Sequence, residues 1–516
     1  MSAQRPVALV ILDGWGVNGK KPSVTTEANT PILERLLKEC PNSILEASAE
    51  AVGLMPGQMG DSNVGHLNIG AGRIVYQDVV MLNRQIQSGE FFTNPALVGA
   101  VEHAKTHSSS LHLMGLVSEG GVHSLEEHLY ALLELAKRHG LGRIFVHAFL
   151  DGRDVMPTSA GTYLARLESK MAELGVGKIA SLSGRYYPMD RDKRWDRVEK
   201  AWNLYLKGEG PIASSWREAL ETSYSKGDTD EFVVPIRLLP PGEGVIRPKD
   251  SVILFNYRAD RARELSHAFT DDDFTGFDRG PKPDVHFCGL MKYEEDLSGH
   301  YAYSPLVLDN TLGEVVSKAG LRQLRAAETE KYAHVTFFLN GKKDEPFPGE
   351  DRLLIPSPRN CATYDEVPEM SACALTDAVV SKVRENRYDL IVMNYANPDM
   401  VGHTGVFTAA VKALEAVDKC LGALLEAVKE AGGVVLIIAD HGNVEDIGPD
   451  EGGAHTYHSH NPVPCILVGE RMGRTVRPGL LADVAPTVLE LLELPKPPEM
   501  DRDSLLETPV GGLANG

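Results

Sequence analysis

The chain has 516 residues, 43% of them apolar and 24% charged, a globular composition that excludes wholesale disorder and at this length favours two domains over one core. Fifty-two Lys and Arg against 72 Asp and Glu leave a net charge of −20, so an overall nucleic-acid footprint is excluded and any anionic ligand must meet a local basic cluster. The cysteines at 40, 288, 361, 373, 420 and 465 form no Cys-x-x-Cys pair, and no stretch approaches the roughly 18 apolar residues of a membrane span. Together these predict a reduced, cytoplasmic protein with neither a nucleic acid nor a membrane as partner.

Val7–Leu12 is a short apolar run of buried-strand character, closed by Asp13-Gly14. Gly60–Arg73 follows a loop and opens a helix near Ser62. A serine there meets free backbone N–H groups and the positive end of the helix dipole, both favourable to a phosphoryl group, unless it serves only as the N-cap. Residues from about 80 to 303 carry strand-like runs of their own at Leu111–Leu116, Ile144–Leu150 and Val252–Phe255. They read as one domain inserted into another, with crossings near 76–80 and 303–309.

Tyr388–Asn394 and Val434–Ala439 repeat the buried-strand pattern. Between them, Thr408–Ala431 places Val411, Leu414, Val417, Leu421, Leu424 and Val428 on one face of an amphipathic helix. Strand, helix, strand predicts a parallel pair joined by a right-handed crossover, and ligand chemistry in such sheets gathers beyond the carboxyl ends of the strands. Asp13, the segment Asn397–His403 and Asp440-His441 all fall there.

Asp399 and His403 are four apart, so one helical turn puts both on one face, as in other metal pairs; a surface turn with a solvated Asp is the alternative. Asp440-His441 closes a strand with two ligand-type side chains, or with a capped turn. His455, His458 and His460 share one loop, where histidines are most often simply exposed. Asp and His without Cys favour Mn²⁺, Mg²⁺, Co²⁺ or Zn²⁺. Asp13, Asp399, His403, Asp440, His441 and His458 are too many ligands for one open catalytic metal and suit two. Metal beside Ser62 would favour its alkoxide over the weakly nucleophilic hydroxyl.

With these residues stand Leu12–Gly16, Val64–Arg73, Gly120–Ser124, Asp151–Asp154, Ser183–Tyr187, Met189–Asp192, Phe255–Arg258, Asp260–Arg263 and Glu328–Tyr332. In that order, over nearly the whole chain, the sequence closely resembles the cofactor-independent (2,3-bisphosphoglycerate-independent) phosphoglycerate mutases. The resemblance implies an α/β fold in which an alkaline-phosphatase-like domain, residues 1–77 and 309–516, is interrupted by a smaller α/β transferase domain, residues 80–303. It implies two divalent metals, manganese in many members, with magnesium, cobalt or zinc as alternatives. One would be held by Asp399, His403 and His458, the other by Asp13, Ser62, Asp440 and His441.

The activity implied is interconversion of 3- and 2-phosphoglycerate through a phosphoserine at Ser62, by a monomer. By similarity, His123, Arg153, Asp154, Arg185, Arg191, Arg258 and Arg261 hold the glycerate and Lys331 contacts the phosphoryl group in transfer. Arg suits a carboxylate and a phosphate better than Lys because its planar fork donates to two oxygens at once. Asp154 is a candidate base for a substrate hydroxyl. Asp61-Ser62-Asn63 stands where the family usually has Asn-Ser-Glu, and none of the departures removes a ligand or the nucleophile. The alternatives are another metal-dependent phosphomutase or phosphatase of the same superfamily, which would not need the five arginines together, and a non-catalytic protein that kept the fold.

Overall fold

Uninterrupted apolar runs set the strands that carry the chemistry. The computed structural model describes residues 5–18, 22–449, 456–470 and 473–508. In chain order the principal strands are β1 (Val7–Leu12), β2 (Asn42–Glu46), β3 (Leu111–Leu116), β4 (Ile144–Leu150), β5 (Lys178–Gly184), β6 (Ile236–Arg237) and β7 (Ser251–Leu254). There follow β8 (His286–Met291), β9 (His300–Tyr303), β10 (Gln323–Glu328), β11 (Glu350–Ile355), β12 (Leu390–Tyr395), β13 (Val434–Ile438) and β14 (Val463–Val468). The chain divides into two compact units, Met1–Gln77 with Val307–Gly516, and Asp78–Leu306.

The first unit is built on a sheet of order β11-β10-β12-β1-β13-β14-β2, with the short strand Gly479–Leu480 at its edge. Every residue of β1 is buried, as a strand covered on both faces requires. It pairs in parallel on one side with β12, Val7 opposite Leu390, and on the other with β13, Val7 opposite Val434. The two later strands are therefore parallel but not neighbours, because β1 takes the slot between them. The expected direct pairing of Tyr388–Asn394 with Val434–Ala439 is corrected accordingly. Beyond β13 the sheet turns antiparallel, through β14 and then β2.

Four helices of this unit matter here: α1 (Ser62–Ala71), α2 (Ala372–Arg384), α3 (Asn397–Gly402) and α4 (Phe407–Glu430). The apolar stripe of α4 buries Leu414, Val417, Leu421, Leu424 and Val428, while Val411 at its start is only partly covered. No helix among the described residues is long and apolar enough to cross a membrane.

The second unit has the sheet order β6-β5-β4-β3-β7-β8-β9, all parallel except β6. The chain winds outward from β3 through β4 to β5 and returns to build β7, β8 and β9 on the other side of β3. The order thus reverses between β3 and β7, and the loops leaving their carboxyl ends flank a crevice of the kind that takes ligands in open parallel sheets.

Candidate functional site

Asp13 follows β1 by one residue, α3 follows β12, and Asp440-His441 follow β13 within three residues, so adjacent strands deliver all of them to one end of the sheet. Gly14 makes the turn: its φ of +73° is left-handed, its N–H donates to Asp440 Oδ1 at 3.1 Å, and a Cβ there would lie 2.8 Å from Asp399. Helix α1 approaches as closely, since a Cβ on Gly65 would meet the Asp440 carbonyl oxygen at 2.6 Å. Ser62 is the first residue of α1 and not its cap; Asp61 is the N-cap, accepting from the Val64 N–H at 2.9 Å. Asp is as good a cap as Asn, and the serine hydroxyl stays free for other partners.

Two groups of donor atoms converge. Asp399 Oδ1, His403 Nε2 and His458 Nε2 form a triangle of sides 3.2, 3.3 and 3.1 Å. His441 Nε2 lies 3.5 Å from Asp13 Oδ1 and 3.6 Å from Asp440 Oδ2, but 3.8 Å from Asp399 Oδ1. Ligand atoms about 2.0–2.2 Å from one ion at tetrahedral or octahedral angles are separated by about 2.8–3.6 Å. The triangle and the distances from His441 to Asp13 and Asp440 fall in that range, whereas the His441–Asp399 distance falls outside it. Ser62 Oγ sits beside the second set, 3.0 Å from His441 Nε2 and 3.2 Å from Asp13 Oδ1.

The outer partners aim these atoms. His403, His458 and His441 each place Nδ1 against a main-chain carbonyl, of Thr456 (2.8 Å), Gly60 (2.8 Å) and Gly442 (3.3 Å). A proton donated there leaves every Nε2 lone pair free for a cation. Asn394 donates to Asp13 Oδ2 at 2.7 Å and lies 3.0 Å from His66 Nε2, while Asn443 donates to Asp399 Oδ1 at 2.9 Å. The donor set is carboxylate and imidazole alone, and buried Asp440 Oδ2 receives no hydrogen bond from the described residues. These residues fit hard or borderline divalent cations. Of the loop histidines, His458 turns into the site, His460 is exposed, and His455 lies outside the described residues.

Charge holds the arrangement together. The buried Lys331 ammonium lies 2.6 Å from Asp13 Oδ1, 2.6 Å from Asp399 Oδ2 and 2.7 Å from Ser62 Oγ. Burial alone would raise the Asp13 and Asp399 carboxyls, but Lys331 and the neighbouring imidazoles outweigh it and hold both well below the usual carboxylate range. Burial opposes charge on His441 too, yet Asp440, Asp13 and Asp399 push its pKa up to about 10.

The second unit gathers the remaining candidates at the carboxyl ends of β3, β4, β5 and β7. Buried Arg185 donates to Asp151 Oδ1 at 2.7 Å and to Asp154 Oδ2 at 2.5 Å. His123 lies 3.9 Å from Asp154 and 3.7 Å from Asp260, and burial followed by the Arg185 charge lowers its pKa to about 4. Asp260 also holds Arg191 at 3.1 Å and Arg258 at 3.0 Å. Arg153 reaches Glu231 at 3.3 Å, and Arg261 donates to the Met189 carbonyl at 2.8 Å. Burial, then repulsion from Arg185, Arg191 and Arg153, makes Arg261 a weaker base than usual, the mark of guanidinium groups packed together without enough anions. Sequence reasoning passed over Asp151, Asp260, His66, Asn394 and Asn443. Asp151, Asp260 and His66 stood inside quoted motifs and Asn394 closed a quoted strand, yet no spacing pattern singled any of the five out.

A family model described as the BPG-independent PGAM N-terminus matches residues 82–295, and one for type I phosphodiesterase / nucleotide pyrophosphatase matches residues 345–448. Among curated proteins, the 2,3-bisphosphoglycerate-independent phosphoglycerate mutase of Symbiobacterium thermophilum is 53% identical, over 99% of this chain and 100% of its own. That of Moorella thermoacetica is 52% identical, over 98% and 99%. Among solved structures, Leishmania mexicana phosphoglycerate mutase, studied at low cobalt concentration, matches with a TM-score of 0.55 and 32% identity, over 98% of both chains.

Proposed function

Since the chain belongs to the 2,3-bisphosphoglycerate-independent phosphoglycerate mutases and interconverts 3- and 2-phosphoglycerate, we propose that Ser62 carries the phosphoryl group between the two positions. The observation that supports this most directly is the placing of Ser62 Oγ, within 3.2 Å of Lys331 Nζ, His441 Nε2 and Asp13 Oδ1 at the start of a helix. We assign Asp399, His403 and His458 to one cation and Asp13, Ser62, Asp440 and His441 to another, and take the pair to be manganese, with magnesium, cobalt or zinc as substitutes. When bound, such cations supply the positive charge that favours a serine alkoxide and neutralises phosphoryl oxygens.

Phosphoryl transfer needs in-line geometry and charge neutralisation above all. Ser62, as its alkoxide, attacks phosphorus opposite the glycerate oxygen, which leaves and takes a proton from the Asp154 carboxyl, and the serine becomes phosphoserine. Lys331 donates to the phosphoryl oxygens as their charge shifts. The glycerate remains on His123, Arg153, Arg185, Arg191, Arg258 and Arg261, whose guanidinium groups grip its carboxylate and hydroxyls. Asp154, oriented by Arg185, takes the proton of the hydroxyl that attacks next, and the second in-line step returns the phosphoryl group to the other carbon. Two inversions give retention at phosphorus.

In this reading residues 1–77 and 309–516 form the metal-binding phosphatase-like domain and residues 80–303 the substrate-binding transferase domain, joined near 76–80 and 303–309. The enzyme acts as a monomer in a reducing cytoplasm, a setting consistent with its six free cysteines. Incubation with phosphoglycerate followed by acid quench should leave phosphate on Ser62. Ser62→Ala should lose both that label and mutase turnover without added bisphosphoglycerate, and substantial turnover in that variant would overturn the assignment. A phosphatase or phosphopentomutase sharing the metal ligands would instead release phosphate or prefer pentose phosphates.

A further inference from the structure

Two thiols of the first unit stand apart from the phosphoryl chemistry. Cys373, the second residue of α2, is exposed, whereas Cys420 on α4 is only 5% exposed, and their sulfurs lie 3.5 Å apart. A disulfide needs about 2.05 Å, so the sulfurs must close by roughly 1.5 Å, within the reach of side-chain rotation and a small helix adjustment. The two differ in access: peroxide from solvent reaches Cys373, while Cys420 waits behind it as a resolving thiol. Burial, reinforced by the neighbouring Cys373, pushes the Cys420 thiol up to about 12, which keeps it protonated and inert until a partner sulfur is activated.

We propose that Cys373 and Cys420 form a reversible disulfide under peroxide, tying α2 to α4. The Cys373 thiol gives up its proton, the thiolate attacks one oxygen of hydrogen peroxide, the O–O bond breaks, the leaving hydroxide takes up that proton as water, and Cys373 becomes a sulfenic acid. The Cys420 sulfur then displaces that hydroxyl; its own proton joins the departing hydroxide as water while the S–S bond forms. Two thiols are oxidised and one peroxide is reduced to two waters.

The bond would join residues 47 apart in sequence, and the segment between them holds β12, Asp399 and His403. Closing it restricts the unfolded chain where two of the metal-site residues lie, so oxidised protein should melt at a higher temperature than reduced protein, by roughly a few degrees. The crosslink also sits close to the site's framework. Thr376 on α2 bonds the Tyr395 hydroxyl at 2.7 Å, and Tyr395 ends the strand that leads into α3.

The test treats the manganese-loaded full chain with hydrogen peroxide, blocks remaining thiols in denaturant without reductant, and maps the peptides by mass. The expected product links the Cys373 and Cys420 peptides, weighs about 2 Da less than the two thiol peptides, reverts with dithiothreitol and melts higher. In Cys420→Ala, Cys373 should run on to sulfinic acid, a gain of about 32 Da, and in Cys373→Ser, Cys420 should stay reduced. Wild-type Cys373 overoxidised while Cys420 remains free, a bond from Cys373 to Cys361 instead, or equal oxidation of Cys420 in Cys373→Ser would each overturn the proposal.

Discussion

Replacing Lys331 with methionine keeps the length of the side chain and deletes its charge, which separates two duties of one residue. Without metal, the ammonium is the nearest cation to two buried carboxylates, 2.6 Å from Asp13 and 2.6 Å from Asp399. Stranding buried charges in this way costs about 3–5 kcal/mol, a large part of a domain's net stability. With divalent cations bound, the same carboxylates have other partners, and the loss should shrink to about 1 kcal/mol, the net worth of one hydrogen bond. Turnover should not recover in parallel, because the donor proposed for the phosphoryl oxygens is still missing; a drop of about 10²–10³-fold in kcat is expected. Urea unfolding of Lys331→Met and the wild type, each with chelator and with manganese, measures the first duty, and initial mutase rates measure the second. An equal stability loss in both conditions would refute the charge argument, and wild-type kcat would refute the contact with the transferring group.

Further outcomes follow from other contacts. Arg261→Ala should raise KM for phosphoglycerate roughly 10- to 100-fold with a smaller change in kcat, since it removes the charge-assisted grip proposed for the glycerate, and steady-state kinetics showing an unchanged KM would contradict that role. Asn394→Ala frees Asp13 Oδ2 from its 2.7 Å donor and should weaken metal binding about 10- to 100-fold in a chelator competition, with the arginine cluster untouched. Buried His123 and His128 are both lowered to about 4 from 6.5 by burial, with the Arg185 charge adding to the effect on His123. Their neutral forms therefore favour the fold: this stability is complete above pH 6.5 and is lost as pH falls toward 4, by at most about 3 kcal/mol for each histidine. Denaturant midpoints that stay level from pH 7 to 4.5 would show that neither group contributes.

How much of this could be read from the chain depends on how local each signal is. Asp399 and His403 were legible because a single helical turn relates them, and Asp13 and Asp440-His441 because each ends an apolar strand. The neighbours of those strands were not legible. Nothing in an apolar run says that Val7–Leu12 would separate the strands at 390 and 434. His458 could not be told from His455 or His460 by composition, since its selection depends on the Gly60 carbonyl, some 400 residues earlier in the chain. The same holds for His66 and Asn394, which meet across 328 residues without any periodic pattern. The arginines were legible as a set, but Asp260, the carboxylate that pairs with Arg191 and Arg258, is recognised only once their side chains are placed.

The central position of β1 also sets a timetable for synthesis. At about 5–20 residues per second, a ribosome that has made Val7–Leu12 needs roughly 20–80 s more to reach the strand at Leu390 that pairs with it. Throughout that interval an all-apolar, six-residue strand waits with both edges open, a template for adhesion to other nascent chains. The unit Asp78–Leu306, by contrast, is contiguous and can fold as soon as it emerges. Crowded translation or slow codons between 307 and 390 should therefore damage the yield of active enzyme more than the same delay placed after residue 440.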